Sequence, residues 1–185
     1  MKDLKELAIK YSSDKYYWHS YIPVYQKLFE GLHVHRLLEI GIGHESLMKP
    51  FLPEGVPYVH GSSLLMWQEH FEQAAIYACD IREDTLVNQG RIRSVVCDQN
   101  LNSDLWSMVD AFGRLPFDVI IDDGCHEWGS QVATAIFLLP HLAHGGIYVI
   151  EDIWEKDAVQ MARLFKGEVI KGEKGRDDNL VVIRR

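Results

Sequence analysis

The sequence lacks the features that define several large protein classes. Its 185 residues contain no apolar run that approaches the roughly 18 residues of a membrane-spanning helix. The formal net charge is −8, and lysine and arginine form no cluster along the sequence. Both features disfavour binding to nucleic-acid phosphates. The three cysteines are an odd number without a C-x-x-C pair, which disfavours a disulfide framework or a zinc knot. We therefore expect a cytoplasmic protein with reduced thiols, no membrane partner and no nucleic-acid partner.

The chain length suits one domain, and we expect residues 1–185 to form a single domain without a linker. Residues 1–33 are predicted to be a helical N-terminal segment. Residues 44–61 contain three prolines, which disfavour a long helix. This insertion has two interpretations: a tolerated surface loop, or a lid over a binding site.

Short β-rich runs alternate with longer amphipathic stretches, a pattern typical of βαβ units and a parallel sheet. The expected parallel strands are 36–40, 75–80, 91–97, 117–122 and 146–151. Two final runs, 168–171 and 180–183, flank turn-forming residues and predict an antiparallel hairpin. The expected helices are 2–10, 20–30, 64–71, 103–111, 129–142 and 156–165. The predicted fold is α/β and doubly wound, with a mostly parallel seven-stranded sheet that ends in this hairpin.

The first predicted strand ends in an E-x-G-x-G turn formed by Glu39, Gly41 and Gly43. Ligands of open α/β sheets bind beyond the carboxyl ends of the strands, and glycines let the backbone approach a ligand closely. A tight turn without a ligand is the alternative. A nicotinamide enzyme would favour G-x-G-x-x-G, but Ser46 stands where the third glycine belongs.

Polar residues also end the second and third strands. Asp80 is suited to accept hydrogen bonds from ribose hydroxyls, and Asp98 and Gln99 are suited to meet an adenine edge. Taken singly, each residue is more simply explained as a helix cap or a turn residue. Their occurrence at consecutive strand ends favours a nucleoside-containing cofactor.

An acidic cluster follows the fourth and fifth strands: Asp122, Asp123 and His126 in I-I-D-D-G-C-H, and Glu151 and Asp152 in V-I-E-D-I. Carboxylates that converge repel one another unless a cation intervenes, and oxygen ligands suit a hard divalent ion such as Mg²⁺. Helix capping would explain one or two of these acids but not all of them. His126, at the mouth of the strand, is suited to act as a general base.

These residues together resemble the class I, Rossmann-like methyltransferases that depend on S-adenosylmethionine. Within them the chain looks like the metal-dependent sugar O-methyltransferases of the macrocin and mycinamicin type, with cephalosporin hydroxylase-like proteins as relatives. The resemblance runs from about Ser13 to Asp152. It rests on S-D-K…H-S-Y at 13–21, L-L-E-I-G-I-G at 37–43, S-L-L-M-W at 63–67, I-Y-A-C-D-I at 76–81, C-D-Q at 97–99, F-D-V-I-I-D-D-G-C-H at 117–126 and G-G-I-Y-V-I-E-D at 145–152.

The resemblance implies a role for each matched position. The methionine part of S-adenosylmethionine would lie by Glu39, Gly41 and Gly43, with Ser63 nearby. Asp80 would hold the ribose, Asp98 and Gln99 would meet the adenine, and Asp122 would face the cofactor. The expected ligands of Mg²⁺ or Mn²⁺ are Asp123, Glu151 and Asp152, with His126 as the base. Lys15, His19 and Tyr21 would cover the cofactor or the substrate.

The chain departs from the family pattern in two places. Cys125 replaces the serine of the usual D-D-G-S-H motif, and the proline-rich insertion differs in length and content, which leaves the acceptor undefined. The implied activity is methylation of a hydroxyl on a sugar, a glycosylated small molecule or a glycan. Methylation of a catechol-like phenol and a catalytically silent cofactor-binding subunit are the alternatives. Homo-oligomerisation stays open.

Overall fold

A computed structural model describes residues 2–175 and 177–185, which build one seven-stranded sheet. The strands are β1 Arg36–Ile40, β2 Ala75–Asp80, β3 Ile92–Val96, β4 Phe117–Asp122, β5 Leu142–Ile150, β6 Glu168–Lys171 and β7 Asn179–Arg184. Their order is β3-β2-β1-β4-β5-β7-β6. The first five are parallel, whereas β7 is antiparallel to both β5 and β6. The predicted doubly wound fold with its terminal hairpin is confirmed.

Helices cover both faces of this sheet. They are α1 Leu4–Lys10, α2 Asp14–Tyr17, α3 Tyr21–Leu28, α4 Glu45–Met48, α5 Ser62–His70, α6 Asn102–Ala111, α7 Trp128–Leu138 and α8 Glu155–Phe165. Apolar residues of α1, α3 and α5 form one buried cluster with one face of the sheet, and those of α6, α7 and α8 form a second cluster with the other face. In β4, Val119 and Ile121 join the first cluster while Phe117 and Ile120 join the second. Continuous apolar strands are expected where both faces are covered.

The predicted element boundaries hold for most strands and fail in two places. The helix expected over 129–142 ends at Leu138, and β5 begins at Leu142 rather than at Gly146. Pro140 lies in a 3-10 turn that separates the two elements, since proline cannot continue a helix. Between the helices expected over 2–10 and 20–30, the chain forms a further short helix, α2, which begins at Asp14.

The carboxyl ends of β1 and β4 meet at the point where the strand order reverses. After β3 the chain returns to the other side of β1 to form β4, so the connections on the two sides of β1 diverge. Such a switch point is the usual ligand position in open α/β sheets. Among the described residues, no helix is both long enough and apolar enough to cross a bilayer.

We expect Ile147→Ala to lower the free energy of unfolding by about 2–5 kcal/mol, because Ile147 is fully buried in β5. The matched control is Ile136→Ala on α7, where the same side chain is 60% exposed. The control should change the free energy of unfolding by less than about 0.5 kcal/mol. Urea unfolding followed by circular dichroism measures both, and equal losses would contradict this account of the core.

Candidate functional site

A cavity of about 630 Å³ lies over the carboxyl ends of the parallel strands. Its floor is formed by the residues that follow each strand, including Gly41, Gly43, Asp80, Asp98, Gln99, Asp123, His126 and Asp152. Its walls come from the residues that follow α2 and from the segment 44–61, through Trp18, His19, Leu47, Met48, Phe51 and Tyr58. The sequence-predicted residues are therefore brought to one cavity, with the exceptions described below.

Gly41 allows the loops after β1 and β4 to cross closely. Its φ is +89°, and a Cβ at this position would lie 2.0 Å from the backbone carbonyl oxygen of Asp123. The two loops are also joined directly, because the Asp123 amide donates to the Ile40 carbonyl at 2.9 Å. The glycine turn thus fixes Asp123 against the end of β1.

Asp80 organises the same turn from the neighbouring strand. Its Oδ2 accepts hydrogen bonds from the amides of Ile42 and Gly43, at 2.9 and 3.3 Å, and its Oδ1 accepts from the amide of Arg82 at 2.9 Å. Asp98 accepts from the Asn100 amide at 2.9 Å. Both carboxylates line the cavity. The contact of Asp80 with a ribose and that of Asp98 with an adenine remain predictions.

Gln99 and Asp122 form a buried polar pair beneath the cavity. The Gln99 amide donates to Asp122 at 3.2 Å and to Thr134 at 3.0 Å, and its oxygen accepts from the Cys125 amide at 2.5 Å. Tyr148 donates to Asp122 at 3.3 Å. Burial raises the pKa of Asp122 to about 7. Asp122 was expected to face the cofactor, but its carboxylate lies inside, between Gln99 and Tyr148.

Three side chains converge at the cavity floor: Asp123, His126 and Asp152. One potential ligand atom from each lies within 4.8 Å of the other two. His126 Nε2 is 3.3 Å from Asp123 Oδ1, and His126 Nδ1 is 3.5 Å from Asp152 Oδ2. Burial lowers the pKa of His126, but Asp123 and Asp152 outweigh this effect and raise the pKa to about 9. We call these three residues the outer acidic group.

Glu151, expected beside Asp123 and Asp152 in the metal site, points away from the cavity. Its Oε2 accepts from Lys15 at 2.7 Å, and its Oε1 accepts from the hydroxyl of Tyr25. The side chain is 1% exposed. His126, expected as a base, is therefore the residue that accompanies the two aspartates in this structure.

Glu39 is also held in the interior. Trp67 Nε1 donates to Glu39 Oε2 at 2.8 Å, and Lys15 Nζ is 3.4 Å from Oε1. Burial raises the pKa of Glu39 to about 7, because Lys15 offsets only part of the desolvation. Ser63 borders the cavity, whereas Glu39 lies behind it.

The N-terminal segment and the terminal hairpin meet at the edge of the site. Asp178, which precedes β7, accepts from the Ser20 amide at 3.1 Å and from the Ser20 hydroxyl at 2.7 Å. His19 Nδ1 lies 3.1 Å from the same carboxylate. Tyr21 donates to Asp152 Oδ1 at 2.6 Å. These contacts connect the first helices of the chain to the outer acidic group.

Sequence reasoning missed the internal partners of the carboxylates. Lys15 was expected to cover the cofactor or the substrate, but it is fully buried among Glu39, Asp123 and Glu151. The signal for Lys15 was its presence in the S-D-K motif, although nothing in that motif gives the direction of the side chain.

Comparison with known proteins gives relatives among curated sequences. No protein-family model matches the chain. Demethylmacrocin O-methyltransferase of Streptomyces fradiae is 37% identical over 158 residues, which are 82% of this chain and 36% of that protein. Mycinamicin VI 2''-O-methyltransferase of Micromonospora griseorubida is 36% identical over 155 residues, again 82% of this chain and 36% of that protein. The chain thus spans little more than a third of the length of these relatives.

Among solved structures, the fold matches the MycE methyltransferase of the mycinamycin biosynthetic pathway in complex with Mg, SAH and mycinamycin VI. The match has a TM-score of 0.72 and 27% identity, and it covers 100% of this chain and 53% of that chain. The protein therefore has the class I methyltransferase fold. Within that class, its sequence resembles the sugar O-methyltransferases of the mycinamicin, macrocin and tetracenomycin type.

We expect Gly41→Ala to destabilise the protein more than the matched change Gly31→Ala. Both glycines have positive φ, +89° and +76°, where an added Cβ costs about 1–2 kcal/mol. Only at Gly41 does the new methyl group meet a backbone atom, since no atom lies within 4 Å of a Cβ at Gly31. Urea unfolding of the two variants measures the difference, and equal stabilities would mean that the β1–β4 crossing tolerates the methyl group.

Proposed function

We propose that this chain is an S-adenosylmethionine-dependent O-methyltransferase that requires a divalent metal ion and acts on a hydroxyl of a sugar or a glycosylated molecule. The observation that carries the proposal is the outer acidic group, which opens into the cavity at the switch point of a class I methyltransferase fold. The activities of relatives such as mycinamicin VI 2''-O-methyltransferase and a 2'-O-methyltransferase of rhamnosyl tetracenomycin C support the same acceptor class.

The proposed binding of S-adenosylmethionine rests on the polar residues that line the cavity. A volume of about 630 Å³ is in the range of small-molecule sites and offers room for a nucleoside-sized ligand. Gly41 and Gly43 would admit the methionine part beside Ser63, Asp80 would bind the ribose, and Asp98 would meet the adenine. Gln99, which lines the same edge of the cavity and is held by its bonds to Asp122 and Cys125, would meet the adenine together with Asp98.

The side chains of the outer acidic group include ligands suited to Mg²⁺ or Mn²⁺. Two carboxylates supply the oxygen ligands that such hard ions prefer. Asp123 and Asp152 would hold the ion at the cavity floor, and Glu151 lies directly behind Asp123, joined to it through Lys15. A bound divalent ion would lower the pKa of an acceptor hydroxyl and help to orient a pair of adjacent hydroxyls.

His126 is suited to receive the acceptor proton. Its ring lies between Asp123 and Asp152 and is 42% exposed to the cavity, so an acceptor can reach it. A base must hold an unprotonated ring nitrogen, whereas the two carboxylates favour the protonated ring. Charge on the carboxylates must therefore be offset for His126 to act as a base, which links the base to the metal requirement.

The proposal also includes the domain organisation, the cellular location and the partners of the chain. Residues 1–185 would act as one methyltransferase domain, and the segment 44–61 would serve as a lid, supported by Leu47, Met48 and Phe51 in the cavity wall. A cytoplasmic location is supported by the three free cysteines, and the absence of a nucleic-acid partner by the net charge of −8.

We expect S-adenosylmethionine to bind both with Mg²⁺ and after EDTA treatment, and methyl transfer to occur only with Mg²⁺. Calorimetric titration measures donor binding. Mass spectrometry measures methylation of a rhamnosylated acceptor and, in parallel, of a catechol. No donor binding in either condition would refute the proposal. Preferred methylation of the catechol would favour a phenol acceptor, and donor binding without transfer to either acceptor would favour a silent subunit.

We expect His126→Ala to lower kcat by about 100- to 10,000-fold, the usual contribution of a general base. Donor affinity should stay near that of the unchanged protein, because His126 contacts Asp123 and Asp152 at the acceptor side of the cavity. His144→Ala, at an exposed histidine near the amino end of β5 and away from the cavity, is the control and should leave kcat unchanged. A parallel loss of donor binding in His126→Ala would indicate a structural role.

A further inference from the structure

Lys15 is a fully buried cation that contacts three carboxylates from three strands. Its Nζ lies 2.7 Å from Asp123 Oδ2, 2.7 Å from Glu151 Oε2 and 3.4 Å from Glu39 Oε1. Lys15 and Glu39 are 0% exposed and Glu151 is 1% exposed. A charge taken out of water is costly unless it is paired, and here one ammonium offsets three carboxylates at the ends of β1, β4 and β5.

The contacts of Asp123 divide its carboxylate into an inner and an outer oxygen. The inner oxygen, Oδ2, binds Lys15, whereas the outer oxygen, Oδ1, lies 3.3 Å from His126 in the outer acidic group. The side chain thus has one oxygen anchored and one turned to the cavity floor. Glu151 differs from Asp123, because both of its oxygens are bound in the interior. Lys15 binds one oxygen and Tyr25 binds the other.

Two electrostatic effects of Lys15 on a cation at the outer acidic group oppose each other. The ammonium repels a second cation, which weakens binding. It also holds Asp123 and Glu151 side by side against their mutual repulsion, and it fixes the direction in which Asp123 Oδ1 points. Groups that orient a metal ligand in this way commonly change metal affinity by about 10- to 100-fold when they are removed.

We propose that Lys15 is the positioning residue of the metal site: by binding Asp123 Oδ2 and Glu151 Oε2, it orients Asp123 Oδ1 toward the divalent ion. The inference rests on the proposed function, because it assumes that the outer acidic group binds that ion. Orientation outweighs repulsion, so the loss of Lys15 weakens metal binding. Binding of S-adenosylmethionine changes little, because Glu39 keeps its hydrogen bond to Trp67.

The test compares Lys15→Met with the unchanged protein. Electron paramagnetic resonance of free Mn²⁺ measures metal affinity, and calorimetry measures S-adenosylmethionine affinity. We expect Mn²⁺ affinity to fall by about 10- to 100-fold while donor affinity is retained. Lys10→Met is the matched control, since Lys10 is 53% exposed and pairs with Glu69 on the surface. It removes the same charge and should leave both affinities unchanged.

The outcomes separate this inference from the proposed function. Unchanged or tighter Mn²⁺ binding by Lys15→Met would overturn the positioning role alone, and an equal loss of both affinities would show a merely structural role. Failure of the unchanged protein to bind Mn²⁺ would overturn the proposed metal site and this inference with it.

A measurement on the unchanged protein keeps the inference testable if Lys15→Met does not fold. In protein labelled with ¹⁵N-lysine, the Lys15 ammonium is shielded from water and should give a slowly exchanging NMR signal. We expect Mg²⁺ to shift this signal and Mn²⁺ to broaden it beyond detection, because Lys15 binds the inner oxygen of a ligand carboxylate. A signal that is unaffected by saturating Mn²⁺ would overturn the inference.

Discussion

The pairing of β1 with β4 is the constraint on which the site depends. Strand β1 lies between β2 and β4, and the chain reverses its direction of winding there. The Asp123 amide continues the β1–β4 ladder by donating to Ile40, and Gly41 leaves room for the Asp123 carbonyl. This pairing brings together the loops after β1 and β4, which carry Gly41, Asp123 and His126, and the neighbouring strand β5 adds Glu151 and Asp152. A shift of one residue in this register would turn Asp123 away from the cavity.

The carboxylates divide into two layers with different chemistry. In the inner layer, Glu39 and Glu151 have no access to the cavity and are bound by Lys15, Trp67 and Tyr25. In the outer layer, the acidic group faces the cavity and is partly exposed to solvent. Asp123 belongs to both layers, since each of its oxygens serves one of them. The inner layer is a closed network that gives the outer layer a fixed geometry.

The sequence predicted which residues end the strands, but not the direction of each side chain. Periodicity located β1, β2, β4 and β6 at their observed bounds, because apolar runs between turn residues define a buried strand. The acids at strand ends reached one edge because parallel strands share that edge. The sequence did not give the direction of the Glu151 side chain, which follows the last residue of β5, because that direction depends on its partners Lys15 and Tyr25 from the first helices. The position of Lys15 was concealed for the same reason, since two of its partners are more than 100 residues away in the chain.

The contact of Asp178 with Ser20 has a consequence for the order in which the molecule assembles. The two residues are 158 positions apart, and they join the helices that begin the chain to the hairpin that ends it. Closing so long a loop costs entropy that local contacts cannot offset, so this contact is expected to form late in folding. During synthesis on the ribosome, the first five strands emerge before Asp178 does. The edge of the site that holds His19 and Tyr21 is therefore completed only after nearly all of these residues have been translated.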